Sequence, residues 1–155
     1  MYIHTVSVGK ASAAQLQEMG GCVCFALRRT TRAVTQLYDT ALRSHGLRVT
    51  QLPILVAAAL AGALPLAPLA EKLGMERTTL LRNVRPLVRR GLLEVDTPLG
   101  SRRTEVRPTA AGRALLARAY PAWKRAQARA LAGIADARWS RGLEALASLA
   151  RATRT

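Results

Sequence analysis

Leu69-Ala70-Glu71-Lys72-Leu73-Gly74-Met75 runs straight into Glu76-Arg77-Thr78-Thr79-Leu80-Leu81-Arg82-Asn83-Val84-Arg85-Pro86-Leu87-Val88-Arg89-Arg90. A small residue, Ala70, lets two helices approach closely, and Gly74, four residues on, supplies a sharp turn between them. Leu80, Leu81, Val84, Leu87 and Val88 recur at three- and four-residue steps, which is one face of a helix. Arg77, Arg82, Arg85 and Arg89 fall on the opposite face. The pattern predicts a short helix over 65–73, a turn, and a second helix over 76–90 with a buried apolar side and an outward basic side. Gly91 closes it.

Beyond Gly91, residues 92–96 alternate weakly and read as a strand. Thr97 to Ser101 contains Pro98 and Gly100, which is turn chemistry. Residues 103–107 read as the returning strand, so the pair forms a hairpin with a basic tip. Thr109 is placed to cap a long helix over 110–134, with apolar residues Leu116, Ala119, Trp123, Ala126, Ala130 and Ile134 and a kink at Pro121. A last helix over 136–152 aligns Trp139, Leu143, Leu146 and Ala150. Toward the N-terminus, Ala11 to Met19 reads as a short helix ended by Gly20-Gly21. Residues 22–44 read as a long one, with a stripe of Val23, Leu27, Thr30, Val34, Leu37 and Ala41. Thr50 is placed to cap a further helix to about Leu60. The expected fold is mainly α with a small β-hairpin wing, a winged helix-turn-helix over 47–109. Helices at 11–46 and 110–152 flank it within one domain, 1–155. Their apolar stripes flank a winged unit that is already complete, so they call for a partner surface such as a second copy.

The composition points the same way. The 155 residues carry 24 Lys and Arg against nine Asp and Glu, a formal net charge of +15. Seven of those cations and three acids lie in residues 1–75; seventeen and six lie in 76–155. Such an excess fits a polyanionic partner. Aromatic residues are only 4%, which disfavours a protein that stacks the bases of single-stranded RNA. The uncharged stretch Leu52 to Ala70 approaches the length of a membrane span, but Pro65 and Pro68 break it. Two short helices around a buried turn account for it better. No secretory leader is expected at residues 1–10, and two cysteines without a leader fit a reducing cytoplasm. His4 and His45 have no acid pair nearby, and no phosphate loop or nucleophile motif occurs, so no enzyme and no cofactor are expected.

A basic helix of this kind suits the major groove of duplex DNA. Arg77, Thr78, Thr79, Arg82 and Asn83 are the candidates for base edges, since Arg matches guanine and Asn matches adenine in bidentate fashion. Arg85, Arg89 and Arg90 are placed for phosphates. Arg102 and Arg103 at the hairpin tip are placed for the adjacent minor groove or its phosphates. A non-specific nucleoid-type protein would use the same basic surface without reading sequence.

The sequence resembles the MarR family of winged helix-turn-helix regulators. The likeness rests on Gly46-Leu47-Arg48-Val49-Thr50-Gln51, on Leu69 to Leu80, on Arg89-Arg90-Gly91-Leu92-Leu93 and on Pro108 to Leu116. It covers about residues 22–150. It implies a homodimer with intertwined N- and C-terminal helices, each wing and recognition helix entering half of a palindromic operator, acting as a repressor. The wing of this family usually carries an Asp just before its Arg. Here Gly100-Ser101 stands there, a departure that leaves no carboxylate at that place to steady the wing with an ion pair. Many members bind small aromatic acids between the dimer helices and the winged unit, and Arg28, Arg32 and Arg48 are candidates to pair such an anion.

Cys22-Val23-Cys24-Phe25-Ala26-Leu27 admits three readings. Both cysteines pack as small core residues. Or Cys24 is a redox switch: Cys24-Phe25-Ala26-Leu27 is similar to the first helix of the organic-hydroperoxide branch of the family. That resemblance implies a thiolate contacted across the dimer by Tyr38, while Arg28 and Val49 occupy two further positions where that branch has tyrosines. Arg28, one turn from Cys24, is placed to favour the thiolate. Or Cys-x-Cys holds a metal or metalloid, as in arsenic- and cadmium-responsive repressors, with His4 and His45 as added ligands. Side chains two apart on a regular helix point to nearly opposite sides, so chelation needs an unwound helix, which Gly20-Gly21 would permit.

Overall fold

A computed structural model describes residues 10–97 and 103–153. The chain divides into two compact units, one ending at Thr35 and the other spanning Gln36–Thr155. The first contains helix α1 (Ala13–Gly20) and the beginning of α2 (Val23–Leu42). Ser12 and Gln15 form a reciprocal capping box at the start of α1: the Gln15 amide donates to Ser12 Oγ at 3.2 Å, and the Ser12 amide donates to Gln15 Oε1 at 2.8 Å. No described residue of this unit is buried.

The second unit holds the core. Its part of α2 buries Tyr38 and Leu42, and a 3-10 turn, Arg43–His45, follows. Helix α3 (Leu52–Ala61) is apolar nearly all round, and Ile54, Leu55 and Ala58 are fully enclosed. Such a helix belongs at the centre of a fold. Thr50 does not cap it. The cap is Gln51, whose Oε1 instead accepts from the Arg48 amide at 3.2 Å. Pro53 sits in the first turn, where its missing N–H costs no hydrogen bond.

Strand β1 (Leu64–Pro65) comes next, then α4 (Leu66–Leu73), α5 (Arg77–Arg89), β2 (Leu93–Asp96) and β3 (Glu105–Pro108). The wing is a three-stranded antiparallel sheet in the order β1-β3-β2, with Leu64 opposite Val106 and Val95 opposite Val106 from the other side. The third strand departs from the hairpin expected from sequence. Residues 64–65 are too few to show a period, and Pro65 reads there as the start of a helix. An edge position tolerates that proline. The charge-free stretch from Leu52 does divide into two short helices, α3 and α4. No helix among the described residues is long and apolar enough to cross a membrane.

Helix α6 (Ala110–Ala130) opens with Thr109, whose Oγ accepts from the Gly112 amide at 3.0 Å and donates to the Gly91 carbonyl at 2.6 Å. The helix ends at Ala130 rather than near Ile134. Its buried side is Gly112, Leu115, Ala119, Ala122 and Ala126, rotated from the stripe expected from sequence. A Cβ at Gly112 would lie 2.1 Å from the Leu92 carbonyl oxygen, so glycine is what allows α6 to pack on the backbone between α5 and β2. Helix α7 (Asp136–Ala152) buries no residue. The core joins Leu42, Leu55, Leu69, Leu80, Leu87, Leu93, Val106 and Leu115, so α2, α3, α4, α5, the wing and α6 share one apolar interior.

Candidate nucleic-acid interface

Helices α4 and α5 form the helix-turn-helix at the positions expected. Ala70 is buried at their junction. Gly74 takes φ +62°, its amide donates to the Glu71 carbonyl at 3.0 Å, and the Met75 amide donates to the Ala70 carbonyl at 2.9 Å. This left-handed closure turns the chain sharply into α5. Leu80, Val84 and Leu87 of α5 are buried in the core. The opposite face therefore stays outside: Arg77, Thr78, Arg82, Arg85 and Arg89 are all exposed, and Thr79 and Asn83 are half-buried. The Asn83 side-chain amide donates to the Thr79 carbonyl at 2.9 Å, one turn back on its own helix. That bond uses one of the two amide protons and leaves the other, with Oδ1, for a base edge.

The wing approaches the start of α5. Arg77 and Arg103 both line one cleft of about 450 Å³, together with Glu71, Thr104 and Pro65 to Pro68. The Leu66 amide donates to the Thr104 carbonyl at 3.0 Å, which ties α4 to the tip end of β3. Arg102, Gly100 and Ser101 lie outside the described residues, so the tip itself and the missing wing Asp carry no structural description. Arg107, farther along β3, pairs with Glu105 at 3.1 Å.

Arg90 is engaged differently from the neighbouring arginines of α5. It caps α5, and its guanidinium turns back to donate to the carbonyls of Gly46 and His45. These bonds lie at the surface, within the chain; Arg85 and Arg89 are exposed as well.

No protein-family model matches the chain, and no curated protein sequence does so either. Solved structures do. The M. tuberculosis transcriptional regulator MosR in complex with DNA is 38% identical, with 86% of this chain and 99% of that chain aligned at a TM-score of 0.76. A MarR-family transcriptional regulator from Rhodococcus sp. RHA1 is 27% identical over 93% of this chain and 100% of that one, at a TM-score of 0.73. CouR from Rhodococcus jostii RHA1, bound to p-coumaroyl-CoA, is 26% identical over 88% and 97% at a TM-score of 0.75. This chain belongs to the MarR family. It is a DNA-binding transcriptional regulator.

Away from the basic face, the second unit contains an apolar pocket of about 580 Å³. Tyr38, Val49, Leu52, Pro53 and Val56 line one side, and Leu116, Ala119, Tyr120 and Trp123 of α6 the other. Tyr120 and Trp123 stack with centroids 5.9 Å apart. The Tyr38 hydroxyl donates to Gln127 Oε1 across the same region, and burial pushes its phenol up from the ordinary value. No lining residue is charged, and Arg48, one residue before Val49, is exposed and not among them. The pocket draws on residues from 38 to 123, and nothing local in the sequence announces it.

The first unit carries the two cysteines. Cys22 and Cys24 are both free and exposed, so neither fills the core of its own chain. Cys22 precedes α2 and Cys24 lies in its first turn. Cys22 thus stands at the start of α2, its carbonyl accepting from the Ala26 amide at 3.1 Å, rather than inside a helix over 22–44. Arg28 is exposed one turn on. Among the described residues no three His, Cys, Asp or Glu side chains come together as a metal site; His4 lies outside them.

Proposed function

We propose that this regulator acts as a homodimer that represses transcription from a palindromic operator and is released by a small ligand. The observation that carries the dimer is that α1 and α7 bury none of their own residues while displaying Leu16, Met19, Leu143 and Leu146 to solvent. Exposed apolar residues in series on flanking helices are better explained by a covering copy than by solvent. Residues 11–46 and 110–152 then supply the dimer helices, and 47–109 the DNA-reading unit. In that unit Arg77, Thr78, Thr79, Arg82 and Asn83 meet base edges, and Arg85, Arg89, Arg102 and Arg103 meet phosphates and the minor groove. Such a protein works in the cytoplasm, beside the DNA it reads.

The pocket supports release by a ligand. Its volume falls in the range of small-molecule sites, and its stacked aromatic wall fits a flat apolar body. CouR, a relative with a bound acyl-CoA, supports effector binding on this scaffold. The lack of charged lining favours an uncharged aromatic molecule over an aromatic acid. Val49 of the pocket wall lies three residues after Gly46, whose carbonyl Arg90 holds, so pocket and recognition helix share one short turn. The exposure of Cys24 favours a second reading, release by thiol oxidation.

The test selects duplexes from a random pool with the purified protein, then titrates naphthalene-type neutral probes, their carboxylates and peroxide against the bound complex. A palindromic selected site and release by the neutral probe support the proposal. Equal binding to every duplex would instead support a non-specific nucleoid role. If Cys24→Ser leaves peroxide release intact, the thiol reading is sunk.

A further inference from the structure

We infer that Arg90 is a positioning residue for sequence recognition: it fixes the pose of α5 from behind and does not contact DNA. The inference rests on the duplex-reading role of α5. Leu87 is the last residue of that helix inside the core; Val88 is 37% exposed, and Arg89 and Arg90 are exposed. Burial therefore holds the helix up to Leu87 and the chain again at Leu92 and Leu93, and leaves the last turn between them exposed. Arg90 supplies what burial does not. Its Nη1 donates to the Gly46 carbonyl, and its Nη2 donates to the His45 carbonyl at 3.3 Å.

Both acceptors sit at the end of the 3-10 turn Arg43–His45, where carbonyls lack partners within the turn and carry partial negative charge. The planar fork of a guanidinium reaches two such oxygens at once, which an ammonium does not. Gly46 makes room for it. A Cβ there would stand 3.1 Å from Arg90 Nη2, and φ at this residue is +61°. The end of the recognition helix is thereby tied to the turn that follows α2, across 44 residues of sequence.

A cation that touches phosphate and one that braces a helix give different signatures. Loss of a phosphate contact weakens every duplex alike and lowers the salt slope by about 0.9. Loss of a brace misaligns base contacts and leaves the slope unchanged. The experiment uses the full chain with Arg90→Gln, Arg90→Lys and Gly46→Ala. Each is titrated at several salt concentrations on the duplex selected by the wild type and on a random duplex, at a temperature where helical content matches the wild type. Arg90→Gln is expected to weaken the selected duplex roughly tenfold and to change the random duplex less than about twofold, at an unaltered slope. Gly46→Ala moves the same way with its charge count intact, and Arg90→Lys recovers less than half of the loss. Equal loss on both duplexes, a lowered slope, or full recovery with lysine overturns the inference. So does a change under about twofold in all three variants. A wild-type protein with no preferred duplex would sink sequence-specific reading as well, and that shows before any variant is made.

Discussion

The winged region and the flanking helices solve the problem of apolar surface in opposite ways. From α3 through α5, the wing and the first turns of α6, apolar residues at helical spacing meet one another, and Leu55, Leu69, Leu80, Leu87 and Val106 are fully enclosed. Helices α1 and α7 carry apolar residues at similar spacing yet bury none. Helix α2 shows the contrast within a single element. Its expected stripe leaves Val23 and Val34 exposed, while Tyr38 and Leu42, off that stripe, enter the core. Periodicity marks a face that is to be buried. It does not say whether the covering surface belongs to the same chain.

Core truncations should break that comparison most sharply. Leu55→Ala removes a fully buried side chain from the central helix and is expected to cost about 3 kcal/mol in denaturant unfolding. Gly112→Ala forces a Cβ against the Leu92 carbonyl and should cost a comparable amount, with loss of the α6 packing. A loss under about 0.5 kcal/mol at either site would mean that this interior is not the stabilising core. The paired change Leu143→Asp with Leu146→Asp acts on the other side of the comparison. Each chain should keep its winged core, judged by unchanged helical content. Sedimentation should show a monomer, and operator affinity should fall at least about tenfold as the second half-site is lost. A double variant that stays dimeric would show that the exposed face of α7 is not the contact.

Smaller effects separate residues within the basic face. Arg82→Ala is expected to cost about 1–3 kcal/mol on the selected duplex and to relax preference at one base pair. Arg85→Ala should weaken all duplexes together and lower the salt slope by about 0.9. If the two variants behave alike, the division into base-reading and phosphate-holding arginines is wrong.

How much of this was legible in sequence follows from how local each signal is. The helix-turn-helix was legible because Ala70, Gly74 and the Leu80-Val84-Leu87 spacing act within a few turns of chain. Thr109 as a cap was legible for the same reason, and so was the division of the stretch from Leu52 into two helices. Strand β1 was not, because two residues have no period and their partner β3 lies some forty residues on. The role of Arg90 was hidden because an arginine after a basic helix looks like its neighbours until the carbonyls of His45 and Gly46 are seen behind it. Thr50 looked like the better cap, yet Gln51 reached the Arg48 amide. The apolar pocket required α2, α3 and α6 to be brought together, which only tertiary packing does.

The smallest expected effect tests the seam between core and pocket. The Tyr38 hydroxyl donates to Gln127 while its ring lines the apolar wall. Tyr38→Phe keeps the ring and removes the donor, leaving the Gln127 oxygen to water or to another partner. The expected cost is about 1 kcal/mol near neutral pH, read from chemical denaturation. Burial raises the phenol in the folded state, so the folded protein holds this proton when the unfolded chain has released it. Stability from that group is fully present below the unfolded value of about 10 and is lost as pH climbs through the folded value. The wild type should therefore lose ground to Tyr38→Phe above about pH 10, where phenylalanine has no proton to release. A gap between the two proteins that stays constant through that range would mean that Tyr38 reaches water freely in solution. The pocket would then be open on the α2 side, and a flat apolar ligand would find one wall fewer.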